Sequence, residues 1–177
     1  MSTLSKINQS NETLLYDNIL NLSRNKLFYT KFGLKDTFQN RIILIFFHIS
    51  FLFIKSKNLD KNNIYKAFSQ KVFDLIFKKI EINMRELGYG DVTVNKNMRI
   101  LVKNFYNILL NCEGYKNENA LNKKKLLYKY LDINNDNKNG NNTDLIDYFD
   151  KYQAFCFDLS LDSVLRCDFN FKNLLNL

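Results

Sequence analysis

The chain contains neither proline nor tryptophan, and glycine occurs only 5 times. Proline removes a backbone donor and breaks helices, while glycine raises the entropic cost of ordering them. A chain this poor in both carries few interruptions, and helix is favoured. Histidine occurs once, as His48. That excludes a metal centre built from several imidazoles, and it leaves a catalytic triad one residue for all its proton transfer. The cysteines, Cys112, Cys156 and Cys167, are odd in number and spaced by 44 and 11 residues. Neither CxxC metal pairs nor a small disulfide framework has that spacing, so a reducing interior is expected. The start, MSTLSKINQSNETLLYDN, lacks the apolar stretch of a signal peptide and the Arg-rich, acid-free helix of a transit peptide. No export is expected.

Apolar and aromatic residues are plentiful. Hydrophobic residues make up 46% of the 177 positions, with 16 Phe and 10 Tyr. A single domain of this length buries roughly two thirds of the surface its unfolded form exposes, enough for a sizeable core. Charge is unbalanced, with 26 Lys and Arg against 18 Asp and Glu, a net +8. Such an excess attracts RNA, an anionic membrane face or an acidic protein. Abundant Lys, Asn, Ile, Phe and Tyr is also what a genome poor in G and C imposes, and we assign roughly half of the basic bias to that cause. Charge alone identifies no partner.

Apolar spacing divides the chain into helices. Leu15, Ile19 and Leu22 place a first helix over about residues 11 to 24. NKLFYTKFGLKD reads as a connector in which Gly33 can take positive φ. Asp36 or Thr37 is the expected cap of the next helix, which carries RIILIFFHISFLFI. Its 13 apolar positions, 42 to 54, have His48 in the middle. They fall short of the ~20 residues a bilayer crossing requires. A helix apolar all round is normally buried on several sides, so a central core helix is expected, ahead of a membrane-dipping or partner-docking segment. Residues 61 to 87 set Ile64, Phe68, Val72, Leu75, Ile76, Ile80 and Leu87 on one face and stop at Gly88, a residue suited to a left-handed C′ position. Thr93 or Asn95 is expected to cap the helix after it, where Met98, Leu101, Val102, Phe105, Ile108 and Leu109 keep helical spacing.

Further on, ENALNKKKLLYKYL reads as a shorter helix and DINNDNKNGNNTD as an exposed loop. DLIDYFDKYQAFCF resumes helical spacing, and the tail forms a last short helix or frays. No internal repeat or long linker divides the chain. The fold expected is all-α, a single-domain compact bundle of about six helices, with a glycine corner at Gly88 and Gly90 between two long antiparallel helices.

Several local patterns invite sharper readings. A dinucleotide-type phosphate loop at Gly88-Tyr89-Gly90 would follow a strand and carry a third glycine. Here a helix precedes it and Asp91 repels phosphate, so a structural turn with an exposed Tyr89 is expected. His48 reads as a hydrogen-bonded packing residue. No paired-carboxylate or nucleophile-plus-base arrangement stands out. Asp132, Asn134 and Asp136 alternate like the first ligands of a calcium loop, but Asn137 takes the usual glycine position and Thr143 the place of the closing Glu. A solvated loop is expected. Lys123, Lys124 and Lys125 beside Tyr128 and Tyr130 read as a hydrated helix face that can also grip RNA or lipid headgroups.

Two blocks of residues together carry a family resemblance. MRELGYGDVTVNKNMRILVKNFYNIL resembles the signature of the ubiquinol–cytochrome c chaperone family through Arg85, Glu86, Leu87, Gly88, Gly90, Asp91, Phe105 and Tyr106. Upstream, LFYTKFGLKDTFQNRIILIFFHISFLF is similar through Phe28, Tyr29, Gly33, Asp36, Thr37, Arg41 and His48. The resemblance covers roughly residues 16 to 131. Lys35 stands where the family often has proline, and Asn95 and Asn97 stand where it has arginines.

The resemblance implies an all-helical, non-enzymatic chaperone of cytochrome bc1 assembly that holds nascent cytochrome b before its haems and partner subunits are in place. It implies peripheral contact with an anionic inner membrane and proximity to the ribosome, with no cofactor, metal or small-molecule substrate. Without a transit peptide, a bacterial member on the cytoplasmic side is expected, the mitochondrial inner membrane being the site of eukaryotic members. The expected partner-binding residues are Arg41, Arg85, Tyr89, Asp91, Lys96, Arg99 and Tyr106, with His48 supporting them from below. Two other readings stand beside it. One is a basic RNA- or ribosome-binding module, which would explain the charge. The other is a haem-handling protein using His48 or a cysteine.

Overall fold

The computed structural model describes residues 9–57, 63–134 and 143–171. Helices α1 (Asn11–Ser23), α2 (Leu27–Thr30), α3 (Phe38–Lys57), α4 (Ile64–Glu86) and α5 (Asp91–Glu113) are followed by a 3-10 turn (Tyr115–Asn117). Then come α6 (Ala120–Tyr130), α7 (Asp144–Asp158) and α8 (Leu161–Arg166). Six of these run 11 residues or longer. The architecture is all-α, and among the described residues the β contribution is an isolated antiparallel bridge between Leu34 and Ile133.

Helix α3 is the axis of the bundle, packed by α1, α4, α5 and α7. From 42 to 54 every residue except Phe53 is buried. At 20 residues α3 is long and apolar enough to cross a bilayer, but its sides are occupied by protein. Burying each large apolar side chain contributes about 1.5–3 kcal/mol, which makes this helix the main source of cohesion. Its two sides make different joints. Phe46 stacks on Phe77 of α4 at 5.5 Å and meets the edge of Phe105 of α5 at 5.4 Å. On the side toward α7, His48 meets Tyr148, Phe149 and Tyr152, with Phe28 of α2 closing the cluster.

The first helix starts where Ser10 caps it, accepting from the Thr13 N–H at 3.3 Å. Thr37 caps α3, its Oγ1 accepting from the Asn40 N–H at 3.2 Å, whereas Asp36 turns outward to Arg41. Residues 33–35 lie beside 132–134, joined by Lys35 N–H to Asp132 O at 3.0 Å and Asn134 N–H to Gly33 O at 2.9 Å. Buried Asn40 completes this strap: its amide donates to Lys35 O and Asp132 O, both at 2.7 Å, and its oxygen accepts from the Asp132 N–H at 2.8 Å. A proline at position 35 would have no N–H for the first of these bonds.

Two expectations change. The apolar stripe of α4 is Tyr65, Phe68, Val72, Ile76, Phe77, Ile80 and Met84, while Ile64 and Leu87 stand 59% and 61% exposed. Ile64 opens the helix and Leu87 is its C-cap, so both project beyond the packed turns. Helix α5 begins at Asp91, with Gly90 as N-cap and no side-chain cap, so neither Thr93 nor Asn95 serves. Asp91 in its first turn faces the positive end of the helix dipole, which favours the earlier start. Asp136, Asn137 and most of the asparagine-rich loop lie outside the described residues, as do the last six positions of the tail.

Candidate partner-binding surface

The corner between α4 and α5 is a glycine-terminated helix end. Gly88 has φ of +86° and donates to Arg85 O at 2.9 Å, and Tyr89 donates to Met84 O at 3.1 Å. That pair of bonds is the Schellman pattern, which satisfies carbonyls that a helix end otherwise leaves bare. Gly90 has φ of −70°, open to any residue, and its carbonyl accepts from the Val94 N–H at 2.9 Å. The two helices then run antiparallel, as Phe73–Phe105 at 5.3 Å and Phe77–Phe105 at 6.0 Å require together with the corner.

Charged groups brace the bend. Arg85 donates to Glu81 one turn back at 2.9 Å and pairs with Asp91 across the corner. Arg41 makes a two-pronged contact with Asp36, at 2.8 and 2.9 Å. Arg41, Arg85 and Asp91 were expected to bind a partner, and in the fold Arg85 and Asp91 engage each other while Arg41 engages Asp36. Around them the surface is apolar: Leu87 is 61%, Tyr89 44% and Val92 84% exposed. Two grooves flank the tip. One of about 270 Å³ is lined by Phe38, Met84, Tyr89, Asn97 and Ile100. The other, of about 260 Å³, is lined by Phe38, Arg41, Asn83, Glu86 and Leu87.

Lys96 and Arg99 stand on the exposed side of α5. Tyr106 lies farther along, about 22 Å from Asp91 by helical rise, and meets Phe73 at 5.9 Å beside a groove of about 470 Å³. Phe53, Tyr65, Phe73 and Leu109 form much of that groove's wall, with the Lys57–Glu113 pair at 2.8 Å on its edge. Sequence reasoning overlooked Lys103, Val92, Ile100 and Leu110, all exposed on α5. Their signal was the spacing of the residues left over once the buried stripe is removed.

His48 is not beneath the corner. It faces α7, on the side of α3 away from the Phe46–Phe105 joint, and is fully buried. Its Nδ1 lies 2.6 Å from Leu44 O. A carbonyl only accepts, so Nδ1 carries the hydrogen and Nε2 accepts from the Tyr148 hydroxyl at 2.7 Å. Burial pushes its pKa down to about 4, so the ring is neutral. The Tyr152 hydroxyl donates to His48 O at 3.1 Å, and burial holds both tyrosines well above their usual range.

Cys112 and Cys156 are buried among apolar groups and their thiols are pushed up by desolvation. No group of three His, Cys, Asp or Glu residues is placed to hold a metal among the described residues. The lysines of α6 sit against tyrosines of the same region: Lys123 is 4.9 Å from the Tyr115 ring, Lys124 5.3 Å from Tyr128 and Lys129 5.1 Å from Tyr130.

No curated protein sequence matches this chain. Among solved structures, the crystal structure of the Cbp3 homolog from Brucella abortus is similar in fold, with a TM-score of 0.77 and 21% identity over 94% of this chain and 91% of that one. The sequence profile described as ubiquinol-cytochrome C chaperone matches residues 30–126, from the end of α2 through the corner and into α6. With more than half of its length matched, the chain belongs to the ubiquinol-cytochrome C chaperone family.

Proposed function

We propose that the chain holds newly made cytochrome b at the inner membrane during assembly of the cytochrome bc1 complex, using the corner and the outer side of α5. The supporting observation is the apolar tip, Leu87, Tyr89 and Val92, exposed inside the family-matched region and flanked by grooves. Burying those side chains needs a partner, and an immature membrane protein offers apolar segments that need cover. Arg85 and Asp91 brace the tip, Arg41 lines the groove beside it, Lys96, Arg99 and Tyr106 extend the contact along α5, and the net charge of +8 draws the chain to an anionic surface. No covalent chemistry is needed for such a role.

The rival readings fit the geometry less well. Base stacking requires free aromatic faces, whereas at the Lys123–Lys125 cluster Tyr115 is fully buried and Tyr128 and Tyr130 are partly buried against neighbouring lysines. Haem ligation requires an available imidazole nitrogen or a thiolate; both nitrogens of His48 are engaged, and burial pushes the pKa of Cys112, Cys156 and Cys167 up, which favours their protonated thiols.

A photo-crosslinker placed at Tyr89 tests the proposal in cells making the bc1 complex. Cytochrome b is the expected adduct, strongest in the nascent protein. Adducts to ribosomal RNA without cytochrome b would overturn the proposal.

A further inference from the structure

Along α5, Val92, Lys96, Arg99, Lys103, Tyr106 and Leu110 recur at intervals of four, three, four, three and four residues. That rhythm lays them in one continuous line, the spacing by which a helix keeps contact with a second helix over several turns. All six are exposed, and the buried line of Val94, Leu101, Phe105, Ile108 and Cys112 lies on the opposite side of the helix. From 92 to 112 the helix carries no carboxylate. The two acids at its ends are engaged already, Asp91 with Arg85 and Glu113 with Lys57. Lys96, Arg99 and Lys103 have no ion-pair partner among the described residues.

We propose that this line is a docking seam for an acidic amphipathic helix of a partner protein. Its carboxylates lie opposite Lys96, Arg99 and Lys103, and its apolar side chains lie against Val92 at one end and Tyr106 and Leu110 at the other. The inference rests on the assembly reading above and gives the chemistry of what α5 holds. From Val92 to Leu110 the seam is about 27 Å long, enough for about five turns of a partner helix crossing at a shallow angle. Charge sets the partner's sign and the apolar ends set its register.

An anionic bilayer is the competing occupant, and the pattern disfavours it. Helices lying on a bilayer put apolar residues along the middle of the buried sector and cations at its flanks. Here the cations occupy the midline, and uncharged Asn95 and Asn107 occupy the flanks.

The test titrates three probes onto the full chain at physiological salt. The first is a synthetic helical peptide with Glu at the central seam positions and Leu at both ends. The second is an isomer of the same composition with its Glu residues moved to the opposite face, and the third is phosphatidylglycerol-rich vesicles. The seam peptide is expected to bind at least about tenfold more tightly than its isomer. Combined Lys96→Glu, Arg99→Glu and Lys103→Glu substitution, all at exposed positions, is expected to remove at least about tenfold of that affinity and to create affinity for a Lys-bearing seam peptide. Equal binding of the two isomers by the unsubstituted chain overturns the proposal. So does a triple variant that loses vesicle binding while keeping the seam peptide. The assembly reading fails by a separate observation, unimpaired bc1 assembly in cells lacking the chain, which leaves the peptide result standing.

Discussion

Gly88 sits at the C′ position of α4 with φ of +86°, where a side chain meets no neighbour but strains its own backbone. Gly88→Ala is therefore expected to cost about 1–2 kcal/mol. Gly90, at φ of −70° and in the N-cap position of α5, is expected to gain a few tenths of a kcal/mol when replaced by Ser. Urea denaturation of the two variants separates the roles of these glycines, which look alike in sequence. His48 makes a pH prediction. Its pKa is about 4 when folded and near 6.5 when unfolded, so below pH 6.5 the unfolded chain binds a proton that the folded chain refuses. Stability is full above pH 6.5 and falls as pH drops through that window, by about 2 kcal/mol at pH 5. His48→Gln should flatten the difference in unfolding free energy between pH 6.5 and 5, and an unchanged slope would contradict the assignment. Asn40→Leu leaves the Asp132 N–H without its acceptor, while Asp132 O keeps the Lys35 N–H and Lys35 O keeps the Thr37 N–H, and it should cost about 1–3 kcal/mol in the same assay. Gly88 was conspicuous in sequence because glycine is scarce in this chain, and His48 because it is the single histidine. Asn40 was not, since nothing local distinguishes one buried asparagine from the many exposed ones, and its partner lies 92 positions away.

At the scale of elements, the long helices were legible because their apolar residues repeat with the helical period over many turns. Helix α3 was recognisable as a core helix because it is apolar all round, and the structure surrounds it as that composition demands. Phe105, which touches Phe46, Phe73 and Phe77, ties α3, α4 and α5 together. Phe105→Ala is expected to cost about 3–5 kcal/mol and to loosen the antiparallel pair, measured as faster hydrogen exchange across α4 and α5. Element ends were harder to read. A candidate capping side chain at Thr93 or Asn95 outweighed the early start at Asp91, because a bare glycine N-cap leaves no side-chain signal. The exposed line on α5 was read only in part, with Lys96, Arg99 and Tyr106 expected to bind a partner and Val92, Lys103 and Leu110 passed over, for another reason. Attention to apolar periodicity selects the buried face, and Lys96, Arg99 and Lys103 become a pattern only once that face is set aside.

For the whole molecule, the family-matched region contains the features on which function is argued: the axis helix, the corner and both long helices. The residues expected to bind a partner divide in the fold. Arg41, Arg85, Tyr89 and Asp91 gather about the corner, Tyr106 stands well along α5, and His48 faces α7 on the other side of the axis. Sequence motif alone cannot make that division, because a residue that shapes a surface and one that is touched by a partner look the same in a signature. The central claim is that this chain assists assembly of the cytochrome bc1 complex. Its most direct test is the amount of assembled complex, read from the cytochrome b absorbance of membranes with and without the chain. Loss of assembled bc1 with other respiratory complexes intact is the predicted result; normal cytochrome b in cells lacking the chain would contradict it.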